Sequence, residues 1–129
     1  RDKPRLDTPE LQNDFETAFR YTFAARLGQR NYPEAIRLTH KLVTERLGFA
    51  PAYRVLGYAL FNIDRATDAL AAYQRAVSLD PDYGEAHYAL ALMFAMGDKA
   101  AGREHFRRAM ELGIKDERQL EQQFYPSTQ

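Results

Sequence analysis

Cysteine is absent from the 129 residues of this chain. That excludes disulfides, thiolate metal sites and thiol nucleophiles, and it leaves the compartment open. Charge of one sign is lacking too. Eighteen basic residues face 18 acidic ones, so no long-range field draws the chain toward nucleic acid or anionic lipid. No apolar run approaches the roughly 20 residues that span a bilayer. There is no glycine-rich phosphate loop, no nucleophile elbow and no carboxylate pair, which leaves catalysis and cofactor binding without residues to carry them. The three histidines, His40, His87 and His105, have neither the spacing of three or four nor the carboxylate orienter of a catalytic or metal site. The chain is therefore expected to be non-catalytic, without metal or cofactor. It opens on Arg1 rather than methionine, so a removed targeting or anchoring segment, and with it the location, stays open.

What is present is clearest between Ala50 and Tyr83. Tyr53, Leu56 and Leu60 recur three and four apart, then Leu70, Tyr73 and Val77 do the same beyond a polar Asn62–Arg65 break. That is the pattern of two amphipathic helices folded back on each other. Gly57, Ala69 and Ala76 place small side chains between the ridges, as two helices approaching to about 8–10 Å require. Asp80-Pro81 stops the second helix, because proline cannot continue it.

These residues resemble a tetratricopeptide repeat. The family pattern is met by Tyr53, Leu56-Gly57, Leu60, Ala69, Tyr73 and Pro81, with Ala76 in a further small slot. Tyr53 and Leu60 stand where the family has tryptophan and tyrosine. A backward shift of 34 residues puts Ala69 on Ala35, Leu70 on Ile36 and Val77 on Val43, but Leu56 on Thr22 and Leu60 on Arg26, so the first leading helix is degenerate. A forward shift of 34 puts Leu56 on Leu90, Gly57 on Ala91, Leu60 on Phe94 and Tyr53 on His87. Past Met96 the shift is 33. The resemblance implies an all-α fold, an α-solenoid of antiparallel helix pairs in one domain over residues 1–129. Its units are expected at about 16–49, 50–83 and 84–115, followed by a short capping helix at about 116–125.

Outside the central unit the local signals are these. Arg1–Asp7 is polar, mixed in charge and reads as a loose start. Thr8-Pro9-Glu10 reads as a helix start, and Leu11, Phe15, Phe19, Phe23 and Leu27 as a core stripe. Pro33 opens a second helix that carries Ala35, Leu38, Leu42 and Leu47. Gly113 reads as a helix C-cap. Asp116 reads as the cap of a closing helix that brings Leu120 and Phe124 onto the third unit. Lys99, Arg103, Arg107 and Arg108 form a basic stripe, read as a solvated face with i,i+4 pairs Glu104–Arg108 and Arg107–Glu111.

In the family, leading helices line the concave side of the stack. The resemblance thus implies a groove faced by Arg20 and Tyr21 in the first unit, by Arg54, Val55, Tyr58, Phe61 and Asn62 in the second, and by Glu85, Tyr88 and Leu92 in the third. Arg54, Tyr58 and Tyr88 stand out, since Tyr and Arg concentrate binding energy at interfaces. Some family members clamp a chaperone's C-terminal carboxylate with Lys, Asn, Asn, Lys and Arg. The matching positions are Arg20, Ala24, Val55, Glu85 and Ala89, of which only Arg20 keeps the charge, so that clamp is not expected. The implied function is a protein–protein interaction module that takes a peptide segment of a partner. The alternative is a self-associating assembly element, a homo-oligomer scaffold joined through Phe23 and Leu27.

Overall fold

The computed structural model describes residues 5–127, and every regular element among them is helical. The order is α1 (Pro9–Phe23), a 3-10 turn (Leu27–Gln29), α2 (Tyr32–Glu45), α3 (Ala50–Asn62), α4 (Ala66–Leu79), α5 (Gly84–Phe94), α6 (Lys99–Glu111) and α7 (Leu120–Phe124). Two compact units divide the chain, one running to Leu79 and one beginning at Asp80.

The first unit holds α1 to α4, each packed on the next. Short connections between neighbouring helices make each couple antiparallel. Small side chains occupy the seams: Ala18, Ala35 and Ala59 are fully buried and share a cluster with Leu38 and Val55. At Gly57 a side chain has no room, because a Cβ there would lie 3.0 Å from the ring of Tyr73. The helix ends are closed locally. Thr8 Oγ1 accepts from the Leu11 amide at 3.1 Å, and Asn31 Oδ1 from the Glu34 amide at 3.2 Å. After α3 the chain turns through Asp64 at φ 64°, and the Arg65 amide reaches back to the Leu60 carbonyl at 2.9 Å.

Three expectations change here. Residues Arg1–Pro4 of the expected loose start lie outside the described residues, but Leu6 is buried with Leu11, Leu42 and Ala52, and Asp7 pairs with Arg46. The stripe Leu11–Leu27 is core only in part: Phe19 is 41% exposed and Leu27 73%. The buried face of α1 runs through Leu11, Ala18 and Thr22, with Phe15 packed beside it. Phe19 follows Ala18 by one residue, which rotates it about 100° off that face. Leu27 lies beyond the end of α1 at Phe23, where Arg30 Nε donates to the Ala24 carbonyl at 2.7 Å. Leu47 is likewise past the end of α2 and exposed. Thr22 thus fills the slot that Leu56 fills in α3, at the cost of a buried hydroxyl with no partner among the described residues.

The second unit packs α5 on α6 and α7 on α6. Asp98 caps α6 by accepting from the Ala101 amide at 3.1 Å. The helix ends in a Schellman turn at Gly113, φ 86°, with the Ile114 amide on the Ala109 carbonyl at 3.0 Å. The Asp116 carboxylate then accepts from the amides of Leu120 at 2.7 Å and Glu121 at 3.0 Å, starting α7. Leu120 and Phe124 are buried against Ala91, Ala95 and Phe106.

Candidate functional site

In the first unit α1 and α3 share a face built from rings. Phe15 meets Phe19 at 6.1 Å between centroids, Phe19 meets Phe23 at 4.7 Å, and Phe23 meets Tyr58 at 4.7 Å. The guanidinium of Arg54 lies 4.5 Å from the centre of the Phe23 ring, and that of Arg20 lies 5.8 Å from Tyr21. Arg30 donates to the Tyr32 hydroxyl at 3.0 Å. The hydrogen bond to Tyr32 comes first among the influences that raise its pKa, and the Tyr58 hydroxyl adds to it. Tyr58 and Tyr21 are half-buried, Arg20 and Asn62 exposed, and Phe61 projects most among the rings of α3. Asn62 donates back to the Tyr58 carbonyl at 2.8 Å, so its side chain serves its own helix end.

Val55 is not a surface residue. At 1% exposure it is wedged among Ala18, Ala35, Leu38 and Ala59. The reason is the crossing of α1 over α3, which buries the α3 side next to Arg54. The stripe reading puts Phe19 and Phe23 in the core, and the self-association reading puts Phe23 at the surface. The structure leaves Phe19 exposed and Phe23 half-buried against the cluster of Ala18 and Val55, beside Arg54 and Tyr58. The backward shift of 34 sets Ala18 on buried Ala52 and Thr22 on Leu56, which marks the inward side of α1. It also sets Phe19 on Tyr53 and Phe23 on buried Gly57, so it carries no signal that turns these rings outward.

In the second unit Glu85 is exposed, but Tyr88 and Leu92 are covered by the chain itself. The Tyr88 hydroxyl donates to the Asp116 carboxylate at 2.7 Å and accepts from the Arg118 amide at 2.8 Å. Burial and the neighbouring carboxylate push its pKa up to about 12. Burial alone would raise Asp116, but the bonds from Tyr88 and from the Glu121 and Leu120 amides hold it below the usual carboxylate range. Leu92 packs on the cluster that contains Leu120 and Phe124. These two groove residues are therefore engaged by segment 116–124. A closing helix at this place was expected from the sequence, but not that it would take up Tyr88.

Two members of the basic stripe on α6 are matched by acids, while Lys99 and Arg103 donate to the Gln123 and Phe124 carbonyls at 3.4 Å. Arg107 pairs with Glu111 at 2.8 Å and with Glu104 at 2.7 Å, and Arg108 with Asp82 and Glu111. Glu104 thus goes to Arg107 rather than Arg108. Two histidines that looked unrelated in sequence meet across α5 and α6, with Nδ1 atoms 3.0 Å apart. His87 Nε2 lies 2.7 Å from the Pro81 carbonyl, which can only accept, so that nitrogen carries the proton. In the neutral ring His87 Nδ1 is then the acceptor, and His105 Nδ1–H donates to it. Among the described residues no group of three potential metal ligands forms.

The histidine pair carries a pH dependence. Burial, then the electrostatic influence of the adjoining His87 ring, lowers the His105 pKa, with Glu104 opposing. The folded state therefore binds fewer protons than the unfolded chain near the ordinary value of about 6.5. The stability it contributes is full above that pH and is lost as pH falls through the lowered value. The midpoint of thermal unfolding is expected to drop between pH 7.5 and 5, and His105→Gln to flatten that slope. An unchanged slope in the variant would place the pH dependence elsewhere.

The family model for the TPR repeat matches residues 57–97. No curated protein matches the chain. Solved structures do. The chain is similar to the crystal structure of MamA, with 27% identity and a TM-score of 0.70 over 83% of this chain and 60% of that one. It is similar to the MamA 41-end structure from Desulfovibrio magneticus RS-1, with 30% identity and a TM-score of 0.63 over 78% and 57%. A MamA RS-1 ArsTM double mutant gives 27% and 0.66 over 79% and 55%. The chain thus spans less than two thirds of the length of each. Among the described residues no helix is long and apolar enough to cross a membrane.

Proposed function

From a chain that carries a TPR repeat at residues 57–97, in an α-solenoid of antiparallel helix pairs that suits an interaction or assembly module, we propose a non-catalytic role. The α1–α3 face of the first unit holds a peptide segment of a partner protein. One observation carries this reading: the ladder Phe19–Phe23–Tyr58 is only partly covered, with Arg54 laid on its middle ring. Partly exposed rings next to an arginine are the groups that dominate interface energetics, because they offer large area at low entropy cost. Val55 supports the face from beneath. Tyr88 and Leu92 take no part while segment 116–124 lies on them.

A face of this size suits affinities on the order of micromolar, about −8 kcal/mol. Peptides selected against the protein by display and titrated by calorimetry test the reading. Tyr58→Ala or Arg54→Ala is expected to weaken binding by about tenfold or more and to leave the helical circular dichroism unchanged. Selected peptides that bind both variants as they bind the parent protein would sink it.

Self-association is the second reading, favoured by the 73% exposure of Leu27 at the end of the same face. A mass that grows with concentration in light scattering, and that Leu27→Ser returns to monomer, replaces the first reading by this one.

A further inference from the structure

We infer that the α1–α3 face selects an acidic partner segment, one whose side-chain carboxylates alternate with aromatic or aliphatic side chains; this rests on the reading just proposed. The formal charge of the whole chain is zero, but the first unit does not spread its ion pairs evenly. Away from the face, Lys41 Nζ lies 2.9 Å from both Glu10 and Asp14, Arg46 pairs with Asp7, Arg37 with Glu34 and Arg65 with Asp68. Arg75, over the Tyr53 ring, and Arg26 make no ion pair among the described residues. On the face none is matched. Arg54 lies on Phe23, Arg20 beside Tyr21, and Arg30 donates to the Ala24 carbonyl and the Tyr32 hydroxyl. Among the described residues none of these three makes an ion pair. Glu16, four residues before Arg20 on α1, is exposed and does not close on it.

A guanidinium stacked on a ring keeps its edge N–H donors free, held in a plane that fits both oxygens of a carboxylate. Two such groups flank an apolar ladder. An apolar side chain of the partner would seat on Phe19, Phe23 and Tyr58 while carboxylates one turn or two residues away meet Arg54 and Arg20. A basic segment would bring like charge onto unpaired arginines, and a neutral one would leave their donors to water.

The test uses three synthetic peptides, amidated at the C-terminus so that no terminal carboxylate contributes. They share one pattern of Leu and Phe and carry Glu, Gln or Lys at the polar positions. Fluorescence anisotropy gives affinity, and the NMR signals of the Tyr58 ring and Arg54 Nε report the place. The Glu peptide is expected to bind about tenfold tighter than its Gln twin. It should weaken as ionic strength rises from about 0.01 to about 0.1 M, where screening shortens from about 30 to about 10 Å. The Arg20→Gln, Arg54→Gln double variant should lose that preference, and Arg54→Lys should keep part of it. If the Gln or Lys peptide binds as tightly while the Tyr58 signal shifts, the acidic selection is wrong and the face remains a docking site. A Glu preference that survives in the double variant also overturns the inference. If no peptide moves either signal, the docking reading falls as well.

Discussion

Phe124→Ala is expected to destabilise the second unit by about 3–5 kcal/mol, the range for emptying a buried phenylalanine site. Helix α7 has five residues, too few to hold themselves by backbone hydrogen bonds. Its place depends on Leu120 and Phe124, both buried, and on the Asp116 cap. The Phe124 ring sits 5.7 Å from Phe106, in space that α6 leaves by having Gly102 there: a Cβ on residue 102 would lie 2.6 Å from the ring. Without the ring the α6 surface loses its cover, and segment 116–124 loses its anchor. Tyr88 then gives a second readout. Its hydroxyl is held by Asp116 and the Arg118 amide, with a pKa of about 12. In Phe124→Ala an ultraviolet titration should find it moved back toward the free tyrosine value of about 10. Urea unfolding at the parent midpoint, with Tyr88 still titrating high, would show that the segment is held by something other than this ring.

The elements were largely legible in the sequence because their signals are local. The central helix pair follows from Tyr53, Leu56, Gly57, Leu60, Ala69 and Tyr73, whose spacing and sizes state both the period and the close approach. Thr8, Gly113 and Asp116 closed their helices through hydrogen bonds within a few residues, and such caps need no tertiary knowledge. What failed was non-local. Which side of α1 is inward depends on α2 and α3 crossing it. Five phenylalanines or leucines at spacing four outweigh one alanine and one threonine in any count of hydrophobicity, yet Ala18 and Thr22 are inside because the helices come too near for phenylalanine there. Val55 was misread for the same reason. Tyr88 was placed correctly on α5, but what lies over it is set by residues 28 and 30 positions later. His87 and His105 meet only because α5 and α6 are antiparallel, a juxtaposition that spacing rules written for single helices do not contain.

The repeat equivalence also predicts more sameness than the packing allows. A shift of 34 superimposes Leu56 on Leu90, and both are buried leucines of a leading helix. Leu90→Ala is expected to cost about 4–5 kcal/mol and Leu56→Ala about 2–3 kcal/mol, opposite ends of the range for leucine truncation. The loss of transfer free energy is common to both. The difference lies in the space left behind. Leu90 has no exposed surface at all, so its missing methyls leave a sealed void among atoms already packed. Such a void costs roughly 24 cal/mol per Å³, on the order of 2 kcal/mol for a leucine-sized deletion. Leu56, 6% exposed, lines a half-open groove of about 500 Å³ with Ile36, Tyr53, Leu60 and Ala72. Truncation there enlarges a space already open to solvent, and Tyr53, Arg65 and Arg75, which also line it, can move inward. Chemical unfolding with the denaturant slope unchanged gives both values on one scale. Equal losses would mean that the groove behaves as closed core. A loss near zero at Leu56 would remove it from the core and leave the family's leucine position without its packing role in this chain.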